Sequence, residues 1–470
     1  MAAPAREDVD QPPAAVPGRW RALGFIALAQ LMITLDTTVV NIAMPSAQEA
    51  LGLSDGDRQW VIAAYALAFG LFLLPGGRIG DLVGHRRAFL AGLGGFAVAS
   101  AVGGAATSPA LLLSARAAQG VCGGLLAPAA LALVAITFTD QRERARAFGV
   151  YSAIAGGGAA VGLILGGVLT EYLSWRWSLY IGVPFALVAA VGAFGTVPAP
   201  PDRPAGTGGR RPLLPMGVVA DRTRGGVYLA LALSVMSMFA LFLFMTYFLQ
   251  VVRDYSPVRT GFAFLPIAVS MAVGSLVVGG GLSRRSPRAV MTGSLLVAAL
   301  GVLLLTRLSV DSGYVTLVLP AGVLLGLGLG TFFVPATNLA TLGVPRSDTG
   351  VASAMAVVAQ QVGGAVGTVL LNGIAASATA AYLDDRGAPA LGVPALGDLA
   401  LGDLQDRAMI HGFALASWWT AGILLLSAVV TALMVEPGAG RAAPAPTPPP
   451  RGEGTTRCPA PARTPPPRSP

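Results

Sequence analysis

One carboxylate and one guanidinium stand well inside apolar stretches of this 470-residue chain, and these two side chains are suited to proton transfer. Asp36 lies in an apolar run that begins near residue 21, and Arg116 lies in another that begins near residue 110. A charge at the centre of a bilayer costs about 2.5 to 3.5 kcal/mol on insertion scales, so such residues usually face a polar interior and have a function. An acidic and a basic side chain buried together are the minimum that a site needs to bind and release a proton.

The composition is that of a polytopic helical membrane protein. Hydrophobic residues make up 54% of the chain and charged residues 11%, the mean hydropathy is +0.68, and there are 61 glycines. All 31 basic residues are Arg, which accounts for the pI of about 10.1. Because they stand beside apolar spans or in the tail, they are interpreted as orienting the protein in the membrane, and no nucleic-acid partner is predicted.

Twelve stretches have the length and composition of membrane-spanning helices. The even-numbered connections between them carry about twice as many Arg as the odd-numbered ones, which predicts that both termini are cytoplasmic. No small-residue cleavage site follows the first stretch, so it is predicted to remain as a span. The predicted spans are 21–45, 59–77, 88–107, 110–136, 147–170, 178–197, 227–251, 261–282, 289–308, 314–341, 350–378 and 411–435.

Part of the fifth span recurs in the eleventh. Residues Gly149 to Ala155 resemble Gly350 to Ala356, and Ala160 to Leu165 resemble Ala365 to Leu370, at offsets of 201 and 205. Six spans separate each pair, so we expect two halves of the same orientation, related by an axis along the membrane normal, with a cavity between them that opens to alternate sides. The alternative is chance, since small residues recur wherever membrane helices pack.

The repeat divides the chain into five predicted parts. They are a cytoplasmic N-terminal segment, an N-terminal six-helix bundle, a cytoplasmic linker, a C-terminal six-helix bundle, and a disordered cytoplasmic tail rich in Pro and Arg. Their boundaries are 1–20, 21–197, 198–226, 227–435 and 436–470.

Several motifs carry a resemblance to a known family. The segment Gly77 to Arg87, between spans two and three, resembles the cytoplasmic signature loop of the major facilitator superfamily. Leu35 to Pro45 resembles the first-helix motif of its drug:proton antiporter branch, especially the multidrug and antibiotic exporters that usually have fourteen helices. Arg116 to Gly120 matches the fourth-helix motif. Glycines of the fifth span fall where the antiporter motif is Gly-rich, at Gly158, Gly162, Gly166 and Gly167.

The chain departs from that pattern in three places. Two central helices of the fourteen-helix exporters are missing, so the resemblance implies a twelve-helix major facilitator fold. Leu163 stands where the fifth-helix motif usually has Pro, which leaves that helix less kinked. In the second copy of the signature loop, Ser283 and Ser286 replace the expected Asp and Gly, which weakens the expectation that this copy relays charge.

The resemblance and the charges together imply a proton-coupling role for Asp36 and Arg116. Asp36 is expected to face the cavity, where exterior protons load it and release a bound drug, and deprotonation toward the cytoplasm restores affinity. Arg116 would lower its affinity for the proton. The alternatives are a purely structural ion pair, or an Asp36 that caps a local break in the helix.

Two further groups of residues are candidates for conformational roles. The signature loop is predicted to act as a latch, in which glycines allow turning and Asp81 binds a helix terminus or an Arg; alternatively its arginines only orient the protein. The latch residues are Gly77, Asp81, Gly84, Arg86, Arg87 and Asp140. A helix-packing motif comprises Gln119, Gly120, Gly158, Gly162, Gly166 and Gly167, with tight packing alone as the alternative to an antiport-specific role.

Polar residues on the spans are candidates for the substrate cavity, where a few polar groups among apolar contacts would bind a drug-like molecule. Each of them is equally suited to an interhelical hydrogen bond. They are Thr37, Asn41, Tyr65, Tyr247, Gln250, Asn338, Gln360 and Gln361.

No enzymatic chemistry is predicted. There is no Walker loop, His85 and His411 are not paired with any nucleophile or metal cluster, and Cys122 and Cys458 have no metal or disulfide spacing. We therefore expect no metal or other cofactor and a proton gradient as the energy source. The favoured function is a cell-membrane exporter of amphipathic drug-like molecules or antibiotics. The alternatives are a transporter of an endogenous solute, such as an organic acid or sugar, and a non-transporting membrane sensor.

Overall fold

Twelve long helices make up the part of the chain that the computed structural model describes, which is residues 18–138, 140–197, 221–280, 285–344, 349–386 and 398–436. They are α1 Arg19–Leu51, α2 Asp55–Val83, α3 His85–Gly104, α4 Pro109–Thr137, α5 Gln141–Tyr172, α6 Trp177–Thr196, α7 Arg222–Val252, α8 Pro257–Gly280, α9 Pro287–Leu305, α10 Tyr314–Thr341, α11 Thr349–Asp385 and α12 Asp398–Met434. We call the end of the helices at which α1 begins the proximal end, and the end at which α1 finishes the distal end.

The predicted all-α membrane architecture is confirmed. Every predicted span overlaps one of the helices, and eleven of the described helices are long and apolar enough to cross a membrane. The remaining helix, α5, has 32 residues and includes the apolar segment Gly157–Tyr172. The predicted terminal segment, linker and tail lie largely outside the described residues, so the proposed domain boundaries stay predictions.

The largest differences from the predicted spans are at the end of α11 and the start of α12. The eleventh span was predicted to end at residue 378, but α11 continues to Asp385. The twelfth was predicted to begin at 411, but α12 begins at Asp398. Apolar length marks where a helix enters lipid, whereas the helix itself continues wherever its backbone hydrogen bonds do.

Local capping fixes several helix ends where the sequence supplies a suitable side chain or Gly. Ser54 Oγ accepts a hydrogen bond from the Asp57 N–H at 3.1 Å, and Asp221 Oδ1 accepts one from the Arg224 N–H at 2.9 Å. Gly52 follows α1 with a φ of 61°, the left-handed conformation that Gly adopts readily. These caps satisfy backbone groups that the helices leave open.

The first six helices and the last six pack in the same pattern, except that α11 packs extensively on α12 whereas α5 makes only a small contact with α6. Helix α1 packs on α5 and α6, α2 on α4, and α3 on α4 and α6. The corresponding contacts in the second half are α7 with α11 and α12, α8 with α10, and α9 with α10 and α12. Between the halves, the largest contacts are α2 with α11 and α5 with α8. If each helix is replaced by its counterpart in the other half, one of these pairs becomes the other. The packing is therefore that of two six-helix bundles related by a pseudo-two-fold axis.

Close approach through glycines repeats between the halves. A Cβ at Gly158 would lie 2.9 Å from Leu31 Cδ1 of α1, and one at Gly162 would overlap the Thr38 hydroxyl. In α11, a Cβ at Gly363 would overlap Ala232 O of α7, and the same α11 face carries Gly367. Gly363 and Gly367 follow Gly158 and Gly162 at the sequence offset of 205, so the repeat corresponds to equivalent helix contacts.

The contact between α2 and α4 generates a test of this close packing. A Cβ at Gly120 would overlap Tyr65 O and lie 2.8 Å from Ala68 Cβ, so Gly120→Leu is expected to destabilise the protein by about 1–3 kcal/mol. The measurement is thermal unfolding in detergent followed by size-exclusion chromatography. The matched control is Gly94→Leu, because no atom lies within 4 Å of a Cβ at Gly94. Equal losses in both variants would contradict the packing argument.

Candidate functional site

Both oxygens of the Asp36 carboxylate accept hydrogen bonds inside the first six-helix bundle. Asp36 Oδ2 lies 2.7 Å from Arg116 Nη1, and Asp36 Oδ1 lies 3.0 Å from Gln119 Nε2. Asp36 is 3% exposed, Arg116 2% and Gln119 0%. The charge-assisted bonds replace the water that both ions lose on burial, which is the condition for a buried pair to persist.

A second set of contacts orients the guanidinium and the amide. Arg116 Nη1 also donates to Gln119 Oε1 at 2.9 Å, and Gln119 Nε2 also donates to Ser100 Oγ at 2.8 Å. Arg116 Nε donates to Val61 O at 3.3 Å, and its guanidinium lies over the Tyr65 ring, 4.4 Å from the centroid. Since Arg is only a donor, its bond to Gln119 Oε1 turns the Gln119 NH₂ group toward Asp36 and Ser100.

Four helices bring these side chains together, because α1 supplies Asp36, α2 Tyr65, α3 Ser100, and α4 both Arg116 and Gln119. Ser100 and Arg116 lie toward the distal ends of their helices, whereas Asp36 lies at the middle of α1. Arg116 follows the distal start of α4 by roughly two helical turns, or about 10 Å.

Asp36 does not face an open cavity in this state, contrary to the sequence-based expectation. The reason is that Arg116 and Gln119 occupy both carboxylate oxygens and the surrounding helices close over them. Tyr65, a predicted cavity residue, is also buried at 2% exposure beneath Arg116. Its hydroxyl is buried without a hydrogen-bond partner among the described residues.

The other predicted cavity residues lie in different surroundings. Three of them bond to their own helix: Thr37 donates to Thr34 O at 2.8 Å, Asn41 to Thr37 O at 2.7 Å and Gln360 to Ala356 O at 3.2 Å. Asn338 is exposed on α10, whereas Gln361 lies against Gly70 where α2 and α11 meet.

Tyr247 and Gln250 form contacts between the halves at the distal end. The Tyr247 hydroxyl donates to Gln48 Oε1 of α1, and Gln250 Nε2 donates to Ile42 O at 3.0 Å. The Arg58 guanidinium stacks over the Tyr247 ring, 4.3 Å from its centroid. These predicted cavity residues therefore help to close the distal end in this state.

Packing glycines of α5 lie against the part of α1 that carries Asp36. Gly162 approaches Leu35 and Thr38, the neighbours of Asp36 along α1, and a Cβ at Gly166 would lie 2.9 Å from Val39 Cα. Gly167 has a different partner, since a Cβ there would lie 2.8 Å from Val258 Cα of α8 in the other half. The Gly-rich face of α5 thus contacts both α1 and the second half.

The signature loop joins α2 to α3 at the proximal end. Gly84 has a φ of 93°, which a residue with a side chain rarely adopts, and it ends α2. The Asp81 carboxylate is 73% exposed and lies 3.4 Å from His85 Nε2. Arg86 donates to Phe194 O and stacks 5.1 Å from the Phe194 ring centroid.

The remaining latch candidates are dispersed. Gly77 faces Pro128, with a Cβ 3.6 Å from Pro128 Cβ, and Arg87 is exposed. Asp140 caps α5, accepting hydrogen bonds from the N–H groups of Glu143 at 2.9 Å and Arg142 at 3.0 Å. These two hydrogen bonds hold the pKa of the Asp140 carboxyl below its usual range, and the bond from the Glu143 N–H has the larger effect.

Comparison with known proteins identifies the family. Residues 26–368 match the family model described as "Major Facilitator Superfamily". The chain belongs to the major facilitator superfamily. Its similarity to a solved member, a bacterial homolog to the human lysosomal transporter Spinster in an inward-facing and occupied conformation, has a TM-score of 0.72 at 18% identity. That match covers 89% of this chain and 97% of the other, and it supports the major facilitator fold.

Curated members of the superfamily resemble the chain more closely in sequence. It is 44% identical to the puromycin resistance protein pur8 of Streptomyces alboniger, over 89% of this chain and 92% of the relative. It is 33% identical to the cephamycin export protein CmcT of Amycolatopsis lactamdurans, over 76% of this chain and 85% of the relative. The predicted resemblance to antibiotic exporters of the superfamily is confirmed.

The sequence reasoning missed Ser100 and underestimated Gln119. A lone Ser in an Ala- and Gly-rich span is common in membrane helices, so Ser100 carried no distinguishing signal. Gln119 was grouped with the packing glycines because it follows Arg116 in the fourth-helix motif. A helical spacing of three residues places Arg116 and Gln119 on one face, and this was the available signal that both could reach the same carboxylate.

The buried pair predicts unequal costs for removing its two members. Arg116→Met leaves the Asp36 carboxylate buried without its counter-ion and is expected to cost about 3–5 kcal/mol. Asp36→Asn is expected to cost less, because Arg116 keeps Val61 O, Gln119 Oε1 and the Tyr65 ring. The measurement is thermal unfolding in detergent, with the exposed Arg87→Met as control.

The double variant completes this test. Asp36→Asn combined with Arg116→Met removes both charges, so it should be more stable than the sum of the single losses implies. Strictly additive losses would show that the two side chains do not interact energetically.

Proposed function

We propose that this protein exports an antibiotic or a related amphipathic small molecule across the cell membrane in exchange for protons. The observation that carries the proposal is the buried Asp36 carboxylate, with Arg116 on one oxygen and Gln119 on the other. The antibiotic resistance and export functions named for its relatives support the substrate class. A proton gradient, with no metal or other cofactor, is the proposed energy source.

Protonation of Asp36 weakens the hydrogen bonds of this state. Arg116 Nη1 and Gln119 Nε2 are both donors, and a protonated carboxyl becomes a donor at one oxygen while it keeps some acceptor capacity. Adding the proton therefore removes the charge that strengthens both bonds and adds an O–H that neither donor can accept.

Gln119 offers one way to relieve that conflict. Rotation of its amide would present Oε1 to the protonated carboxyl, and the Ser100 hydroxyl could then donate where it now accepts. Arg116 would lose its bond to Gln119 Oε1. We infer that proton loading loosens Arg116 and alters the packing of α4 against α1 and α3.

In the proposed cycle, proton and substrate act through alternative conformations of the two halves. In this state the Asp36 carboxylate is bound to Arg116. In the proposed cycle, coupling therefore does not require a cationic substrate to bind that carboxylate directly. The Arg distribution supports assignment of the distal end to the exterior and of both termini to the cytoplasm. The position of Arg116, about two turns from the distal start of α4, is compatible with loading of the pair by exterior protons.

The signature loop is proposed to act in the same cycle at the proximal end. Asp81 is exposed here, and its charge is available for a helix terminus or an Arg of the other half when that end closes. Gly77 and Gly84 would allow the close approach, and Arg86 holds the loop against α6 through Phe194. Closure at the proximal end would accompany opening at the distal end.

Transport by inverted membrane vesicles tests the proposed function. Radiolabelled puromycin, chosen from the similarity to a puromycin resistance protein, should accumulate when the vesicle interior is acidified, with ethidium as a second probe. Asp36→Asn should reduce gradient-driven uptake to the level of vesicles without the protein, because it removes the proton-binding group. Glu49→Gln, an exposed change at the end of the same helix, is the matched control.

The outcomes separate coupling from substrate choice. Uptake that remains gradient-dependent in Asp36→Asn, at equal protein abundance, would refute the assigned coupling residue. Uptake of both probes that ignores the gradient in the unaltered protein would refute proton antiport. Substrate-induced proton release from detergent-solubilised protein, lost in Asp36→Asn, would support the exchange independently of vesicles.

A further inference from the structure

The start of α8 is completed by a carboxylate from the opposite half of the molecule. Glu171 stands at the distal end of α5, and its Oε2 accepts a hydrogen bond from the Val258 N–H at 2.9 Å. Val258 is the second residue of α8, where the N–H groups of a helix have no partner within the helix. A negative charge at this position also interacts favourably with the helix dipole.

The chain around α8 satisfies every other donor of that first turn. Pro257 has no N–H, the Arg259 N–H donates to Ser256 Oγ at 3.3 Å, and the Thr260 N–H donates to Ser256 O at 2.9 Å. Val258 alone among these residues depends on a group from the other half, Glu171.

The backbones of α5 and α8 approach closely beside this bond. A Cβ at Gly167 would lie 2.5 Å from Pro257 O, and one at Gly261 would lie 2.5 Å from Leu163 O. The two glycines, one from each half, let the helices meet at the distal end, so the reach of the Glu171 side chain to Val258 depends on this closed contact.

We propose that Glu171 is a positioning residue that holds the distal end closed by capping α8 across the two halves. Opening at that end must break the bond from the Val258 N–H to Glu171. Loss of the Glu171 carboxylate therefore shifts the protein toward the distal-open state. The proposal rests on the alternating movement of the halves in the proposed function.

Distances between spin labels on the two halves test this inference. The distal pair is Thr107→Cys with Val315→Cys, both exposed, and the proximal pair is Arg142→Cys with Arg285→Cys, also exposed. Each pair is introduced into the full chain after Cys122→Ala and Cys458→Ala, labelled, and measured by double electron–electron resonance.

In Glu171→Ala, the population with a long distal distance should increase about three- to tenfold relative to the population with a short one, which is the effect expected of one helix cap. The proximal distances should shift in the opposite direction, toward shorter values. Glu171→Gln keeps an oxygen for the Val258 N–H but lacks the charge, so it should give an intermediate ratio. Glu49→Ala, an exposed carboxylate at the same end, should leave both pairs unchanged.

Two results would overturn the proposal. Unchanged distances for both pairs in folded Glu171→Ala would show that the cap does not influence the halves. A change confined to the distal pair would show that Glu171 only caps α8 locally. Because these measurements use neither substrate nor a proton gradient, their failure is distinguishable from failure of proton-coupled export.

Discussion

The cost of placing charge in an apolar medium governs the first half of the molecule. Asp36 and Arg116 are stable at this depth because each supplies the counter-charge and hydrogen bonds that water would otherwise provide. Gln119 and Ser100 extend the arrangement to α3, and the Tyr65 ring covers the guanidinium. Four helices therefore depend on one set of polar contacts. A proton added to this set changes interactions in all of them, which gives the proposed coupling a physical basis.

Close backbone packing makes that polar arrangement possible. Gly120 brings α4 against α2 beside Tyr65, and Gly162 brings α5 against α1 beside Asp36. In the second half, Gly363 and Gly367 make the equivalent approach of α11 to α7, although that half has no buried ion pair among its described residues. The duplicated packing is shared, whereas the charge chemistry belongs to the first half.

Polar side chains also make contacts between the halves at the distal end. The Tyr247 hydroxyl donates to Gln48, Gln250 donates to Ile42 O, and Glu171 accepts from the Val258 N–H. The apolar core around Phe96 is formed by buried residues of the first half, whereas the core around Phe332 also contains first-half residues, among them Ile42 and Leu163. In this state the two halves are therefore joined by apolar packing as well as by polar contacts.

Much of this protein was determined by local features of its sequence. The length of the apolar stretches predicted the helices, and the repeated Gly and Ala segments indicated the duplication. An acid and a base inside apolar runs identified Asp36 and Arg116. These features can be predicted because the hydrophobic effect and the cost of buried charge act on each stretch separately. Tertiary structure alone decided which face each residue presents. It turned Asp36 away from a cavity, placed Tyr247 and Gln250 at the distal closure, and joined Ser100 and Glu171 to partners on other helices. The physical reason is that a hydrogen bond between helices depends on their rotation and separation, which are fixed by side chains distant in the sequence.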